Sequence, residues 1–463
     1  MSHKFGKDLT TGSIPRHLLN FSIPMLLGNL LQTGYGIVNT VWVGQKLGAD
    51  AVGATQVSFP IIFMLISLAS GATLATTILV SQYYGAKDFK MVEKVVNNSF
   101  SIAMILGTVL TIAGILASDF ILRLMGTPAE IFTIASSYLK ISIAGFILLF
   151  LTFLITSILR GIGDTKTPLI FMAIGIGINA VLDPLMIIGI GPFPKLGLDG
   201  AAYASLIAQT LAFIMAMIYL NCKKHFVAIN LKKLTLDRHL TYLIFKIGLP
   251  SMVQQTLVAI SSAFITSFVN AFGAIATAAF GAAGRIENIV FMPMMSFGMA
   301  ASALAGQNLG AGRSDRVRDV FKWGVIMTSV VTLTLSGLIL AFPRLLLMMF
   351  IQEPGVLDIG VGYLRIVGCS YILFAILFIS NGIINGAGKT LVTMAFTIIT
   401  IWAVRVPLAA ILMKTSLQIH GVWLSVDIGF AVGIIISLSY YFSGRWKKSI
   451  ISKDRPDDVF QTE

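Results

Sequence analysis

Asp183 is the side chain in this sequence with the clearest need of a chemical reason. It lies in the run GIGINAVLDPLMI, where Asn179 is the only other polar side chain. The spacing i, i+4 puts Asn179 and Asp183 on one face of a helix. Pro184 follows directly and lacks a backbone donor, which frees carbonyl oxygens nearby. Ser205 shares a helical face with Ala201, and Tyr35 shares one with Asn39, in two other apolar stretches. Together Asp183, Asn179, Asn39, Ser205 and Tyr35 offer one carboxylate, two amide oxygens and two hydroxyls. Such a set can act as an oxygen cage for a hard monovalent cation, held by Asp183, Asn179, Asn39 and Ser205. It can equally be a single protonatable site with hydrogen-bonding neighbours, or a polar network that pins three helices. A carboxylate at bilayer mid-depth costs about 2.5–3.5 kcal/mol, so a functional role is the default expectation.

Apolar stretches of the second half carry Arg285, Glu287, Arg405 and Asp427. Arg405 and Asp427 are candidates for a salt bridge. Glu287 can meet Arg285, Lys246 or a cationic substrate. With Gln255 and Asn381 it forms the candidate substrate-binding set; Gln254, Ser261, Ser262 and Asn385 are further polar residues that suit either a binding surface or helix–helix contacts. The five histidines (His3, His17, His225, His239 and His420) have no metal-ligand spacing, and Cys222 and Cys369 form no CxxC pair. The sequence has no P-loop, GxSxG or HExxH. No enzyme and no bound cofactor is expected, and energy must come from an ion gradient, Na⁺ or H⁺.

The elements that hold these residues are membrane helices. Of 463 residues, 56% are apolar and only 11% are charged. A soluble domain is nearer about 25% charged, so the solvent for most of this chain is lipid. That excludes soluble enzymes and nucleic-acid binders, and the net charge of +13 belongs to loops at a membrane surface. Twelve apolar windows long enough to cross a bilayer run from 18–41 to 419–443, including 132–159, 168–190, 275–306, 321–349 and 390–413. The first is too long for a signal-peptide core and reads as a retained helix. The polar, basic segment 222–241 divides the chain into an N-terminal six-helix lobe (1–221) and a C-terminal one (242–443), followed by a tail (444–463). Pro24, Pro60, Pro184, Pro250, Pro293 and Pro407 fall inside spans and predict kinks.

Lys and Arg crowd into alternate loops: Lys87, Lys90 and Lys94; Arg160 and Lys166; Lys223 and Lys224; Arg313, Arg316 and Arg318; Arg445, Lys447 and Lys448. The opposite loops hold little beyond Lys46, Arg123, Lys195, Arg344 and Lys414. The positive-inside rule then predicts a multi-pass plasma-membrane protein with both termini in the cytoplasm.

The two halves also superimpose in sequence at an offset of about 225 residues. Gln82, Gly85 and Ala86 fall over Gln307, Gly310 and Ala311; Tyr138 and Leu139 over Tyr363 and Leu364; Gly161, Gly163 and Thr165 over Gly386, Gly388 and Thr390. Six helices per half makes the repeat parallel, about an axis along the membrane normal. Two such lobes facing each other predict a transporter working by alternating access. Asp183 has no twin, since the offset brings Leu408.

The order and spacing of several segments resemble the multidrug and toxic compound extrusion (MATE) transporters, bacterial and archaeal type, over about residues 15–443. The segments are IPMLLGNLLQTGYGIVNTVWVGQKLG, SQYYGAK, LRGIGDTKTP and NAVLDP, then AAGRIENIVFMPMMSFGMAASALAGQNLGAG and WAVRVPLA. The resemblance implies an all-α membrane protein of twelve helices in two pseudo-symmetric bundles, V-shaped around a central cavity. It also implies antiport of small amphipathic, often cationic compounds against Na⁺ or H⁺, by a chain expected to be a monomer. The family's coupling-ion positions fall on Asn179, Asp183, Ser205 and Tyr35, and an acidic position of related members on Glu287. Asn39 stands where the family often has Asp. That departure disfavours a proton relay between two carboxylates and leaves a cation cage, because an amide oxygen can still coordinate. A lipid-linked saccharide flippase of the wider superfamily is the alternative, ranked lower because intramembrane arginines are few.

Overall fold

A computed structural model describes residues 6–222, 227 and 234–451. Half of the segment 222–241, including His225, and both ends of the chain, on which the expectation of cytoplasmic termini and most of the tail fall, lie outside the described residues. The described residues are almost wholly helical and contain no strand. The first half comprises α1 (Ile14–Leu47), α2 (Ala49–Gly85), α3 (Phe89–Leu124), α4 (Ala129–Ala144), α5 (Phe146–Gly161), α6 (Lys166–Ile188) and α7 (Leu198–Cys222). The second comprises α8 (Arg238–Asn270), α9 (Ala274–Gly310), α10 (Ser314–Ala341), α11 (Pro343–Met348), α12 (Pro354–Gly386), α13 (Thr390–Thr397), α14 (Val406–Leu412) and α15 (Gln418–Phe442). A wide-turn π segment, Ile398–Arg405, joins α13 to α14.

Ten spans among the described residues are long and apolar enough to cross a membrane unaided, and α4 with α5 makes an eleventh, bent by 40°. The twelfth expected span is α1. Its 34 residues reach about 50 Å at 1.5 Å per residue, but Asn20, Asn29, Gln32 and Asn39 dilute its apolar character. Three details differ from the expected windows. The window 132–159 is two helices meeting at Gly145, the window 321–349 is interrupted before Pro343, and 390–413 contains the π segment. The last has a local cause. Pro407 has no N–H, and its ring crowds the carbonyl four residues earlier, so the preceding backbone widens. The helices that contain Pro24, Pro60, Pro184, Pro250 and Pro293 continue through them.

The chain forms two compact units. One holds Leu27–Val80 and Asp88–Lys246; the other holds Asp8–Leu26, Ser81–Lys87 and everything from Ile247 onward. The helix α1 therefore gives its first part to one unit and the rest to the other.

In the first unit α6 packs on α7. The buried face of α7 is a stripe of small residues, Ala201, Ala204, Ala208, Ala212 and Ala216, three or four apart. Small side chains let two backbones approach within a membrane, where lipid supplies no hydrophobic drive. Gly200 takes this furthest, since a Cβ there would press on the Met186 carbonyl of α6.

In the second unit α9 crosses α12 through Gly298 on one side and Gly382 and Gly386 on the other. An aromatic core of Tyr363, Tyr371, Phe374 and Trp423 is fully buried beside them.

The repeat is visible in the contacts. A Cβ on Gly161 would meet the Thr77 carbonyl, and one on Gly386 would meet the Ser302 carbonyl, equivalent positions in the two halves. At the ends of α2 and α9 equivalent residues meet one another. A Cβ on Gly85 would overlap the Gln307 carbonyl, and a Cβ on Gly310 would overlap the Gln82 carbonyl. The two glutamine side chains act alike as well. Gln307 Oε1 accepts the Leu9 N–H at 3.0 Å, and Gln82 Oε1 accepts the Ile450 N–H at 3.1 Å.

Candidate functional site

Three helices of the first unit bring the sequence-selected residues together. The α6–α7 stripe sets Asn179 opposite Ser205, and the Asn179 Nδ2 donates to Ser205 Oγ at 3.0 Å. One turn on, Asp183 faces α1. Its Oδ2 accepts from the Tyr35 hydroxyl at 2.8 Å and from Asn39 Nδ2 at 2.8 Å. Asn39 Nδ2 is also 3.2 Å from the Tyr35 hydroxyl. Asp183 is 1% exposed and Asn179 7%, whereas Tyr35, Asn39 and Ser205 are half-buried, so the two α6 side chains are the buried members of the group.

Donors and acceptors are unequally shared. Asp183 Oδ2 takes two donors, whereas the buried Asp183 Oδ1 and Asn179 Oδ1 have no hydrogen-bond partner among the described residues. Leaving a buried acceptor unmade costs about 1–3 kcal/mol, more when it is charged. Two such oxygens on adjacent turns of one helix are what a small cation, or a proton, would satisfy. Asn39 enters the site differently from the expected cage: it presents its amide nitrogen to the carboxylate, as a donor. The reason is local, because an ionised carboxylate accepts only.

The candidate substrate-binding residues go to separate partners. Glu287 on α9 accepts from the Tyr363 hydroxyl of α12 at 2.6 Å. Asn381 on α12 accepts from Ser437 Oγ of α15 at 3.1 Å. Gln255 on α8 is exposed. Its neighbour Gln254 is the one that packs inward, donating to Thr397 Oγ1 at 2.8 Å. Neither cation expected beside Glu287 is there: Arg285 sits over the Phe350 ring and Lys246 over the Tyr242 ring. The salt bridge expected between Arg405 and Asp427 does not close either. Asp427 takes the Ser370 hydroxyl at 2.6 Å, and the Arg405 guanidinium lies 6.0 Å from the Phe430 ring centroid. A hydroxyl already on the carboxylate and a ring under the guanidinium hold the two charges apart.

The MatE family model matches this chain twice, over residues 24–185 and 250–411, one copy in each half. The chain is 36% identical to the "Probable multidrug resistance protein YoeA" of Bacillus subtilis (strain 168), over 95% of this chain and 96% of that protein. It is 32% identical to the "Probable multidrug resistance protein YpnP" of the same organism, over 95% and 97% of the two chains. Among solved structures, a MATE protein in the bent conformation superimposes with a TM-score of 0.89 at 26% identity, over 95% of this chain and 98% of that one. Two family-model matches, one per half, and relatives aligned from end to end lead to one assignment: the chain belongs to the MatE family, the multidrug and toxic compound extrusion proteins, and is a multi-pass membrane transporter rather than an enzyme.

Proposed function

We propose that this chain exports small amphipathic, often cationic compounds in exchange for Na⁺, with Asp183 as the coupling carboxylate. The observation that carries the proposal is the closed-off Asp183, one oxygen held by Tyr35 and Asn39 and the other left open beside the open Asn179 oxygen. The names of the curated relatives support multidrug substrates. A cation bound at the two open oxygens cancels the Asp183 charge and releases Tyr35 and Asn39 from it. Both lie on α1, whose first part is packed in the other unit, so the change at the ion site reaches both units along one helix. A cation with different affinity for the two access states then shifts their populations and drives export.

Proteoliposome efflux of a fluorescent cation, driven by a Na⁺ gradient with a protonophore present, tests this. The expected result is Na⁺-driven efflux that is lost in Asp183→Asn. Efflux that ignores Na⁺ and follows a pH gradient assigns the proton as the coupling ion. Undiminished efflux in Asp183→Asn removes Asp183 from coupling altogether.

A further inference from the structure

We infer that the segment just after α15 is a clasp of the transport cycle: Ser449 and Ile450 hold the last turn of α2 in the access state described here and let it go in the other. The inference rests on the alternating-access reading above. Helix α15 stops at Phe442, and Gly444 takes a φ of +70° that turns the chain back. Trp446 then folds under the helix end. It is 1% exposed, its Nε1 donates to the Tyr441 carbonyl at 2.7 Å, and its ring stacks on Tyr441 at 5.2 Å. Arg445, Lys447 and Lys448 around it are exposed, so the segment is amphipathic and not simply charged. Further on, Ile451 is 3% exposed, and a Cβ on Gly388, just past α12, would meet the Ile450 side chain at 3.2 Å.

The anchor is Gln82, which is 0% exposed. Its Oε1 accepts from Ser449 Oγ at 2.7 Å and from the Ile450 N–H at 3.1 Å, and its Nε2 donates to the Gly386 carbonyl at 2.8 Å. One side chain therefore ties the end of α2 to the end of α12 and to the segment after α15. The place matters because α2 changes unit there: Leu27–Val80 belongs to one unit and Ser81–Lys87 to the other. A cycle that moves one unit against the other loads this junction. Ser449 and Ile450 lie outside every helix, so they can leave Gln82 without unwinding one. A buried amide oxygen stripped of both donors is costly, so release of the clasp and movement of the α2 end go together.

The independent observation is in the repeat. The pattern K-x-L-T precedes both halves at the same offset, as KDLT at 7–10 and as KKLT at 232–235. In the first copy Leu9 is 1% exposed and both its backbone groups are held, the N–H by Gln307 Oε1 at 3.0 Å and the carbonyl by Asn308 Nδ2 at 3.2 Å. Gln82 is the counterpart of Gln307, so the repeat assigns its acceptor to Leu234. Leu234 is instead 38% exposed, and Ser449 and Ile450 have the place. The two glutamines thus keep one chemistry with different clients. Gln307 holds the approach to its own helix bundle, whereas Gln82 holds an element that the duplicated halves do not share.

Two shortened chains in proteoliposomes test this, one ending at Ile451 and one at Lys448. The first keeps the clasp and is expected to turn over like the full chain. In the second, turnover is expected to fall by about fivefold or more while the apparent KM for a fluorescent cation stays within about twofold. Amide hydrogen exchange at Tyr84–Lys87 is expected to rise by about tenfold or more. A peptide of residues 444–451, GRWKKSII, is expected to restore both. If the shorter chain fails to fold, Ile450→Pro, which removes the N–H given to Gln82, and Ser449→Ala decide by the same readings. Equal turnover and equal exchange in the two chains overturn the clasp. So does a turnover loss in which KM and melting temperature are lost together and the peptide restores nothing, the mark of a packing defect. Exchange at α2 is read without transport, so failure of the Na⁺-coupling reading leaves this one decidable.

Discussion

At the scale of single residues the site is an argument about unequal partners. Asp183 Oδ2 is saturated and Oδ1 is open, and Asn39 is one of the two donors that make it so. Replacing that donor by an acid reverses its sense. In Asn39→Asp two carboxylates stand at hydrogen-bond distance, and both cannot be ionised, so one keeps a proton. The expected outcome is a shift in drive: the ratio of pH-driven to Na⁺-driven efflux rises by about tenfold or more. A ratio like that of the unaltered protein contradicts this account of Asn39. The five residues of this site were legible because helical spacing and burial cost are local properties. Partners of the second-half charges were not legible. Glu287 has Arg285 two positions away in sequence, yet its hydroxyl donor, Tyr363, comes from another helix. A pairing of that kind is fixed only when α9 and α12 cross.

Helices of this length announce themselves by apolar runs, and among the described residues eleven of the twelve expected spans meet that test, α1 being the exception. What the runs concealed are the interruptions. Gly145 divides one span, and Pro407 imposes a π segment that places Arg405 at its end. Neither alters hydropathy, so a window average passes over both. The packing of α6 on α7 decides whether Asn179 reaches Ser205, and Gly200 is its tightest point. Alanine there gains about 1 kcal/mol of helix propensity. Its methyl group, though, would press on the Met186 carbonyl, and a backbone can yield only by moving the helix. Overpacking of this kind costs about 1–3 kcal/mol, so the clash wins. Gly200→Ala is expected to lower the melting temperature in detergent and to weaken the apparent affinity for the coupling ion. An unchanged melting curve argues against close packing at this point.

The whole molecule is a duplication, and its repeat is legible in glycine, glutamine and tyrosine positions alone. The contacts add that some counterparts touch each other. If Gly85 and Gly310 play one role, Gly85→Ala and Gly310→Ala should impair stability and efflux to a similar degree, by about 1–3 kcal/mol each in unfolding free energy. Unequal effects, measured side by side in one membrane preparation, would show that the likeness is only geometric. The chemistry has not kept the symmetry. Leu408 stands at the counterpart of Asp183, and the hydroxyl on each acid comes from a different place, Tyr35 of α1 on Asp183 and Tyr363 of α12 on Glu287.

The meeting of Gly85 with Gln307, and of Gly310 with Gln82, also bears on history. Two separate copies of a half-length ancestor could have docked tail to tail through that patch, with one codon serving both partners. Joining the copies doubled the number of codons to be preserved there. The same event freed every position away from the axis to specialise, and Asp183, with Leu408 as its counterpart, is a product of that freedom.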